Sequence, residues 1–186
     1  LVFNADDLGL TVGVNTGIFH AHEQGMLTSA SLMANAPATA DAIRRLRSRP
    51  RLGIGAHLTL VDGVPTLPPG RVPTLVDDHG RFRPSWKPFI LDCLTGRVAL
   101  REVQQELTAQ IDRLRSEGIR LTHLDAHKHV HAYPPVFEIV ARLANRFEIP
   151  VVRVPYERGP AVRPSDWQRA AVRRQSLANA AMWLWA

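Results

Sequence analysis

Two periods of apolar spacing alternate along this chain, and a strand-like run is followed by a helix-like run five times over. Short apolar runs bounded by turn residues predict buried strands, and apolar residues three and four apart predict helices. Leu1-Val2-Phe3 leads into Asn4-Ala5-Asp6-Asp7-Leu8-Gly9 as a strand that ends in a polar loop. Val14, Ile18 and Ala21 predict a helix from Val12, stopped by Gly25. Thr28 to Ala34 reads as a second strand. Ala38, Ala42, Ile43 and Leu46 then form the apolar side of a helix whose other side carries Arg44, Arg45 and Arg47. Pro50 ends it, and Leu52 to Leu60 is a third strand. The clearest helix, Leu100 to Glu117, has Val103, Leu107, Ile111 and Leu114 as its stripe and Gly118 as its cap.

A fourth strand follows through the histidine-rich stretch around residue 125, and Pro134-Pro135 opens a helix with Val136, Val140 and Leu143 inward. Ile149 to Val154 is a fifth strand. Ser165-Asp166-Trp167-Gln168 is a capping box for a last helix carrying Trp167, Leu177, Met182 and Trp185. Its basic start and apolar end suit either a lipid surface or, more simply, a core helix. Residues 61–98 are rich in Pro, Gly and charge and keep no period, which marks a segment that covers a site or packs as an insertion. Within it, Val76 to Phe82 reads as a turn between short extended pieces, with Asp77, Asp78 and His79 as turn residues. The alternation as a whole predicts one α/β domain over 1–186 with a parallel sheet and right-handed crossovers.

Composition narrows the class only a little. A 186-residue chain with 45% hydrophobic and 22% charged residues is long enough and apolar enough for one globular core. The chain begins at Leu1 within an apolar run and stops at Ala186 within a helical pattern, so a fragment of a longer protein is expected. No apolar stretch reaches the length of a membrane span, and no signal peptide is visible. The single Cys93 excludes an internal disulfide and fits a reducing compartment, with the cytoplasm as the expected location. A net charge of +6 is weighted towards Arg153, Arg158, Arg163, Arg169, Arg173 and Arg174. Such a field attracts anions, but without aromatic interleaving it points away from nucleic acid.

The chemistry concentrates in His123-Leu124-Asp125-Ala126-His127-Lys128-His129-Val130-His131, where five metal-binding or proton-moving side chains stand at every second position. On a continuous strand all five would share one face, with apolar residues on the other. Pro134-Pro135 limits how far that strand can run. A surface strand with solvated histidines would be the favoured account of one His alone, and is the lesser reading for four His with an Asp in nine residues. Asp6-Asp7 adds two adjacent carboxylates that repel unless a cation or hydrogen bonds compensate, though an Asx turn would also place them. A cation on one of them leaves the other free to act as a general base on water. His57, alone in an apolar strand, would by itself read as a core residue. In a parallel sheet, however, Asp6-Asp7, His57 and His127 all fall near strand C-terminal ends, on one edge. Two imidazoles and a carboxylate leave coordination positions open, as a catalytic metal requires.

Asn4-Ala5-Asp6-Asp7-Leu8-Gly9-Leu10, Gly55-Ala56-His57-Leu58-Thr59-Leu60 and Thr122-His123-Leu124-Asp125-Ala126-His127-Lys128-His129-Val130-His131 together resemble the YdjC-like carbohydrate deacetylases, which include chitooligosaccharide deacetylase. The resemblance runs in order from Leu1 to about Pro155, with Leu8 standing where Phe is usual. It implies a distorted (β/α) barrel related to the polysaccharide deacetylase (NodB-like) fold, incomplete in this chain. It also implies a divalent metal cation, Mg²⁺ by family practice, although two imidazole ligands favour Zn²⁺ or another transition ion. By position, Asp7, His57 and His127 become the metal ligands and Asp6 the base that activates water. Asp125, His129, His131 and Arg153 become substrate-binding groups or groups that support the ligands.

Val152-Arg153-Val154-Pro155-Tyr156-Glu157 further resembles the branch associated with hopanoid biosynthesis. The implied partner is an N-acetylated saccharide or an N-acetylglucosaminyl lipid, with peripheral membrane contact and a homodimer as further expectations. A metal-dependent phosphoesterase using the arginines to hold phosphate, or a non-catalytic sugar- or lipid-binding protein, are the alternatives.

Overall fold

The computed structural model describes residues 2–155. Strands β1 (Asn4–Leu8), β2 (Ser29–Leu32), β3 (Gly53–Leu58) and β4 (Leu121–Ala126) form a parallel sheet in the order β1-β2-β3-β4. Between them run α1 (Val12–Gln24), α2 (Thr39–Leu46), α3 (Trp86–Leu94) and α4 (Leu100–Ser116), and α5 (Pro134–Arg146) follows β4. Each strand lies beside its predecessor, the progression of a barrel wall built from repeated strand-helix units. Among the described residues, no helix is long and apolar enough to cross a membrane.

The sheet owes its two faces to the alternation along each strand. Ala30, Leu32, Ile54, Ala56, Leu58, Leu124 and Ala126 join Ile18, Phe19, Ala42, Ile43, Leu107, Ile111, Leu114, Val140 and Leu143 from the helices in one apolar core. Each fully buried Leu, Ile or Phe in it contributes about 1.5–3 kcal/mol over remaining exposed. The opposite face carries polar or glycine positions in every strand: Asn4 and Asp6, Ser29 and Ser31, Gly53, Gly55 and His57, His123 and Asp125.

Most predicted elements form where the spacing placed them, with instructive departures. Strand β1 starts at Asn4, so Asp6 and Asp7 lie inside it, while Val2 and Phe3 are exposed. Helix α1 buries Asn15, Ile18 and Phe19, and Ala21 faces outward. The choice of face follows Asn15: its Oδ1 accepts from the Gly9 amide, and its Nδ2 donates to the Ala38 carbonyl and to Asp41, pinning the loop after β1 against α2. Helix α3 arises inside the segment read as irregular; its Pro88 sits in the first turn, where a missing amide costs nothing. Val76 and Phe82 pair as an antiparallel bridge around the predicted turn. Ile149 to Val154 does not form a full strand: a single parallel bridge, Leu124 to Val152, joins it to β4. The helix predicted from Ser165, Tyr156, Glu157 and the arginines from Arg158 to Arg174 lie outside the described residues.

Segment 61–98 is held down from α4 by a polar ladder that the apolar stripe concealed. Glu102, Glu106 and Gln110 are buried one turn apart. Glu106 accepts from the Thr66 and Leu67 amides at 2.6 and 3.0 Å, and Glu102 from both the amide and the hydroxyl of Thr74 at 2.8 Å. Gln110 bonds both the amide and the carbonyl of Thr59 at 2.8 and 2.7 Å. Replacing Glu106 by Ala orphans two loop amides, so Glu106→Ala is expected to cost about 1–3 kcal/mol in urea denaturation and to accelerate amide exchange at Thr66 and Leu67. Unchanged exchange at both positions would remove the ladder from this account.

Candidate active site

The site begins with an irregularity in β1. Ala5 pairs with Ala30 and Leu8 with Leu32, so Asp6 and Asp7 together oppose the single residue Ser31. This bulge, with Asp7 in the left-handed region at φ 64°, breaks the alternation that would send adjacent side chains to opposite faces. Both carboxylates thereby reach His57. Asp7 shares one cluster with His57 and His127, and Asp6 another with His57 and Asp125; within each, the candidate ligand atoms lie within 4.8 Å of one another.

His57 stands between two carboxylates. Its Nδ1 is 2.7 Å from Asp125 Oδ1 and its Nε2 is 3.2 Å from Asp7 Oδ1, and only 3% of the side chain is exposed. His127 approaches the same Asp7 oxygen through Nδ1 at 2.8 Å, with its ring edge-on to that of His57. Asp125 is fixed from behind: Ser31 Oγ donates to its Oδ2 at 2.7 Å and accepts from Asn4 Nδ2 at 2.9 Å. Ser31 is a residue that sequence reasoning missed, and its signal was a polar residue recurring at every second position of a buried strand.

Burial opposes a charged His57, yet the hydrogen bonds to Asp125 and Asp7 outweigh it and push the ring up to about 9. Hydrogen bonds from His127 and then His57 hold the Asp7 carboxyl far below the usual carboxylate range, against the effect of burial. Asp125 is lowered as well; its burial is outweighed by His57 and Ser31. The physical content is one of charge. With Nδ1 donating to Asp125, a neutral His57 would turn its Nε2 lone pair on the Asp7 carboxylate, so a proton is drawn in between them. A cation larger than a proton satisfies the same three groups. Asp7, His57 and His127 therefore fit a divalent metal by the chemistry of their donor set, one carboxylate and two imidazoles, with His57 oriented by Asp125 on its far nitrogen.

Asp6 faces a different partner. Both its oxygens lie 2.9 Å from Nη1 of Arg153, which also stands 3.5 Å from Asp125 Oδ2, and Asn4 Nδ2 donates to Asp6 at 2.9 Å. The long alternating strand, in contrast, does not persist. Strand β4 ends at Ala126, and His127 to Ala132 form 3₁₀ turns interrupted by left-handed Lys128 and His129. His131 consequently leaves the shared face. It is fully buried and its Nε2 bonds the Arg153 carbonyl at 2.7 Å, fixing the segment that supplies the Arg153 side chain. His129, half-buried, lies 6.3 Å from His131 between ring centroids. Burial lowers the affinity of His123, His129 and His131 for protons.

Close backbone approach explains one glycine. A Cβ on Gly55 would meet the ring of His123, its neighbour across the sheet, at 2.2 Å. Gly55→Ala is expected to cost about 1–3 kcal/mol by overpacking, and the thermal midpoint should recover in Gly55→Ala with His123→Ala; no recovery would mean the clash lies elsewhere. A second expectation concerns pH. The folded pKa of His57 is raised, so its contribution is complete below about pH 6.5, the ordinary His value, and is lost as pH rises through about 9. In chelator, the stability difference between wild type and His57→Gln should therefore shrink from pH 6 to pH 9. Taking the difference removes the buried His123, His129 and His131, which act in the opposite sense. A gap that widens with pH would contradict the assigned hydrogen bonds.

Comparison with known proteins adds to this geometry. Residues 1–185 match the family model of the YdjC-like proteins. A carbohydrate deacetylase of Brevibacillus brevis is 42% identical over 151 residues, covering 81% of this chain and 58% of the relative. Another, from Thermoanaerobacter pseudethanolicus, is 34% identical over 163 residues, covering 88% and 64%. A crystal structure from Enterococcus faecalis V583, described as a cellobiose-phosphate cleavage protein, superposes with a TM-score of 0.73 at 30% identity, covering 97% of this chain and 64% of that one. The chain thus spans about three fifths of the length of these relatives. With the family model matched along nearly its whole length, this chain belongs to the YdjC-like protein family.

Proposed function

We propose that this chain carries the metal-binding half of a carbohydrate deacetylase, which hydrolyses the acetamido group of an N-acetylated sugar to acetate and the free amine. The single observation that supports it most is the buried His57 held between Asp7 and Asp125, with His127 on the same Asp7 oxygen. The relatives named carbohydrate deacetylases agree with it.

Asp7, His57 and His127 would hold one divalent cation, which supplies a Lewis acid for the acetyl carbonyl and acidifies the attacking water. Two imidazoles favour Zn²⁺ or another transition ion over Mg²⁺, which prefers oxygen, so the ligand chemistry and family practice are set against each other in the test below. Asp6 is the general base. It is the carboxylate of the adjacent pair left outside the ligand set, and Arg153 fixes its plane with two contacts. The proton Asp6 takes from water balances the one that the departing amine requires. Asp125 keeps His57 in the tautomer that turns Nε2 towards Asp7, and His131 anchors the Arg153 backbone. Arg153 is engaged by Asp6 and Asp125, which weighs against a phosphoesterase that would need it for phosphate.

The finer reading, an N-acetylglucosaminyl lipid in place of a free oligosaccharide, rests on the likeness of residues 152–157 to the hopanoid-associated branch. Acetate release from N-acetylglucosamine oligosaccharides and from a glucosaminyl lipid, after chelation and re-addition of single metals, tests all of this on the intact protein. Metal-dependent release that falls about 10²–10⁴-fold in Asp6→Asn and is lost in His127→Ala is the expected result. Release indifferent to chelation or to either substitution would sink the mechanism, and sugar binding without turnover in any metal would favour a binding protein.

A further inference from the structure

Among the described residues, five non-glycine residues have positive φ: Asp7, Asp62, Lys128, His129 and Glu148. Glu148 follows the end of α5, an ordinary place for a left-handed residue. The other four gather at the candidate site. Left-handed backbone costs a non-glycine residue of order 1–3 kcal/mol and persists where the surroundings impose it, often at functional sites. Asp7, Lys128 and His129 belong to the Asp-Asp and histidine-rich stretches, whereas Asp62 lies in neither.

Asp62 lies in the loop after β3, four residues beyond Leu58. Its amide donates to the Arg83 carbonyl at 2.8 Å, and its Oδ2 is 2.5 Å from Lys128 Nζ. Lys128 Nζ also donates to the Pro84 carbonyl at 3.3 Å. The same Asp62 oxygen lies 3.9 Å from His127 Nε2, the nitrogen facing away from Asp7. That is roughly 1 Å longer than a hydrogen bond, and the Asp62 side chain is 55% exposed. Each histidine thus turns one nitrogen to Asp7 and has a second carboxylate on the side of the other, Asp125 at 2.7 Å from His57 and Asp62 at 3.9 Å from His127.

We propose that Asp62 is a positioning residue of the metal site, its carboxylate orienting His127 through Nε2, with Lys128 holding that carboxylate in place. The inference rests on the reading of Asp7, His57 and His127 as metal ligands. A carboxylate on the far nitrogen fixes the ring of a metal-binding His and makes it a better donor, and its loss typically weakens metal binding 10–100-fold. The strained turn at Lys128 and His129 then has a purpose, since it sends the Lys128 ammonium back over the site to Asp62.

Co²⁺ alone is the probe, because its visible absorption reports the ligand field and its titration gives affinity without any turnover. Wild type, His57→Ala, Asp62→Asn, Asp62→Glu and Lys128→Met are compared in the intact protein, with urea denaturation alongside. The expected result is no binding in His57→Ala, about tenfold or weaker binding with shifted absorption bands in Asp62→Asn, and partial recovery in Asp62→Glu. Asp62→Asn should be no less stable to urea than Lys128→Met. Co²⁺ binding in His57→Ala equal to wild type would overturn the reading of the site itself. Binding lost in His57→Ala yet within twofold of wild type, with unshifted bands, in Asp62→Asn would overturn this inference alone. So would equal losses in Asp62→Asn and Lys128→Met that track their losses of stability, since the pair would then be only a latch on segment 61–98.

Discussion

A buried imidazole held between two carboxylates is the constraint on which the rest of this structure turns. Its hydrogen bonds favour the ionised form of both Asp7 and Asp125, so His57 bridges the two carboxylates. Three strands must be in register to place these groups: β3 for His57, its neighbour β4 for Asp125, and β1, two strands away, for Asp7. The parallel order β1-β2-β3-β4 leaves β2 in the gap, and there Ser31 links Asn4 to Asp125 across the sheet.

The apolar face of the sheet makes such a site affordable. The core behind it, from Leu8 to Ile149, is continuous and almost wholly Leu, Ile, Val, Phe and Ala, so the polar groups are confined to one side. Hydrogen bonds also hold the segments around the site. Asn15 ties down the loop after β1, His131 ties down the backbone of Arg153, and the buried Glu102, Glu106 and Gln110 of α4 tie down the segment after β3. Asn15, Glu102, Glu106 and Gln110 are buried with their side-chain partners satisfied, the condition under which burial specifies geometry instead of destabilising it.

The position of segment 61–98 follows from the same logic. It keeps no repeating pattern, yet Val61, Val72, Leu75, Phe82, Phe89 and Val98 anchor it in the core. Hydrogen bonds from α4 on one side and from Lys128 to Asp62 and Pro84 on the other fix its course. The segment is thereby tied both to α4 and to the turn that follows His127. Its α-helix, α3, buries Phe89 and leaves Trp86, Leu91 and Leu94 exposed.

By itself the sequence determined the alternation of strands and helices, the apolar side of α2, α4 and α5, and the identities of Asp6, Asp7, His57, Asp125 and His127 as the groups to watch. These are local or periodic properties, and a period of two or of 3.6 residues is legible without a partner. The tertiary structure alone decided the rest. The bulge that turns Asp6 and Asp7 to one face exists only because β2 offers a single residue opposite them. The histidine-rich stretch leaves its strand after Ala126, because the chain must turn there into α5, which sends His131 inward and Lys128 towards Asp62. Ser31, Asn15 and Asp62 are ordinary polar residues in the sequence, and each acquires its part from a neighbour many residues away. Contacts of that kind depend on register and on backbone conformation at single residues, which no periodicity encodes.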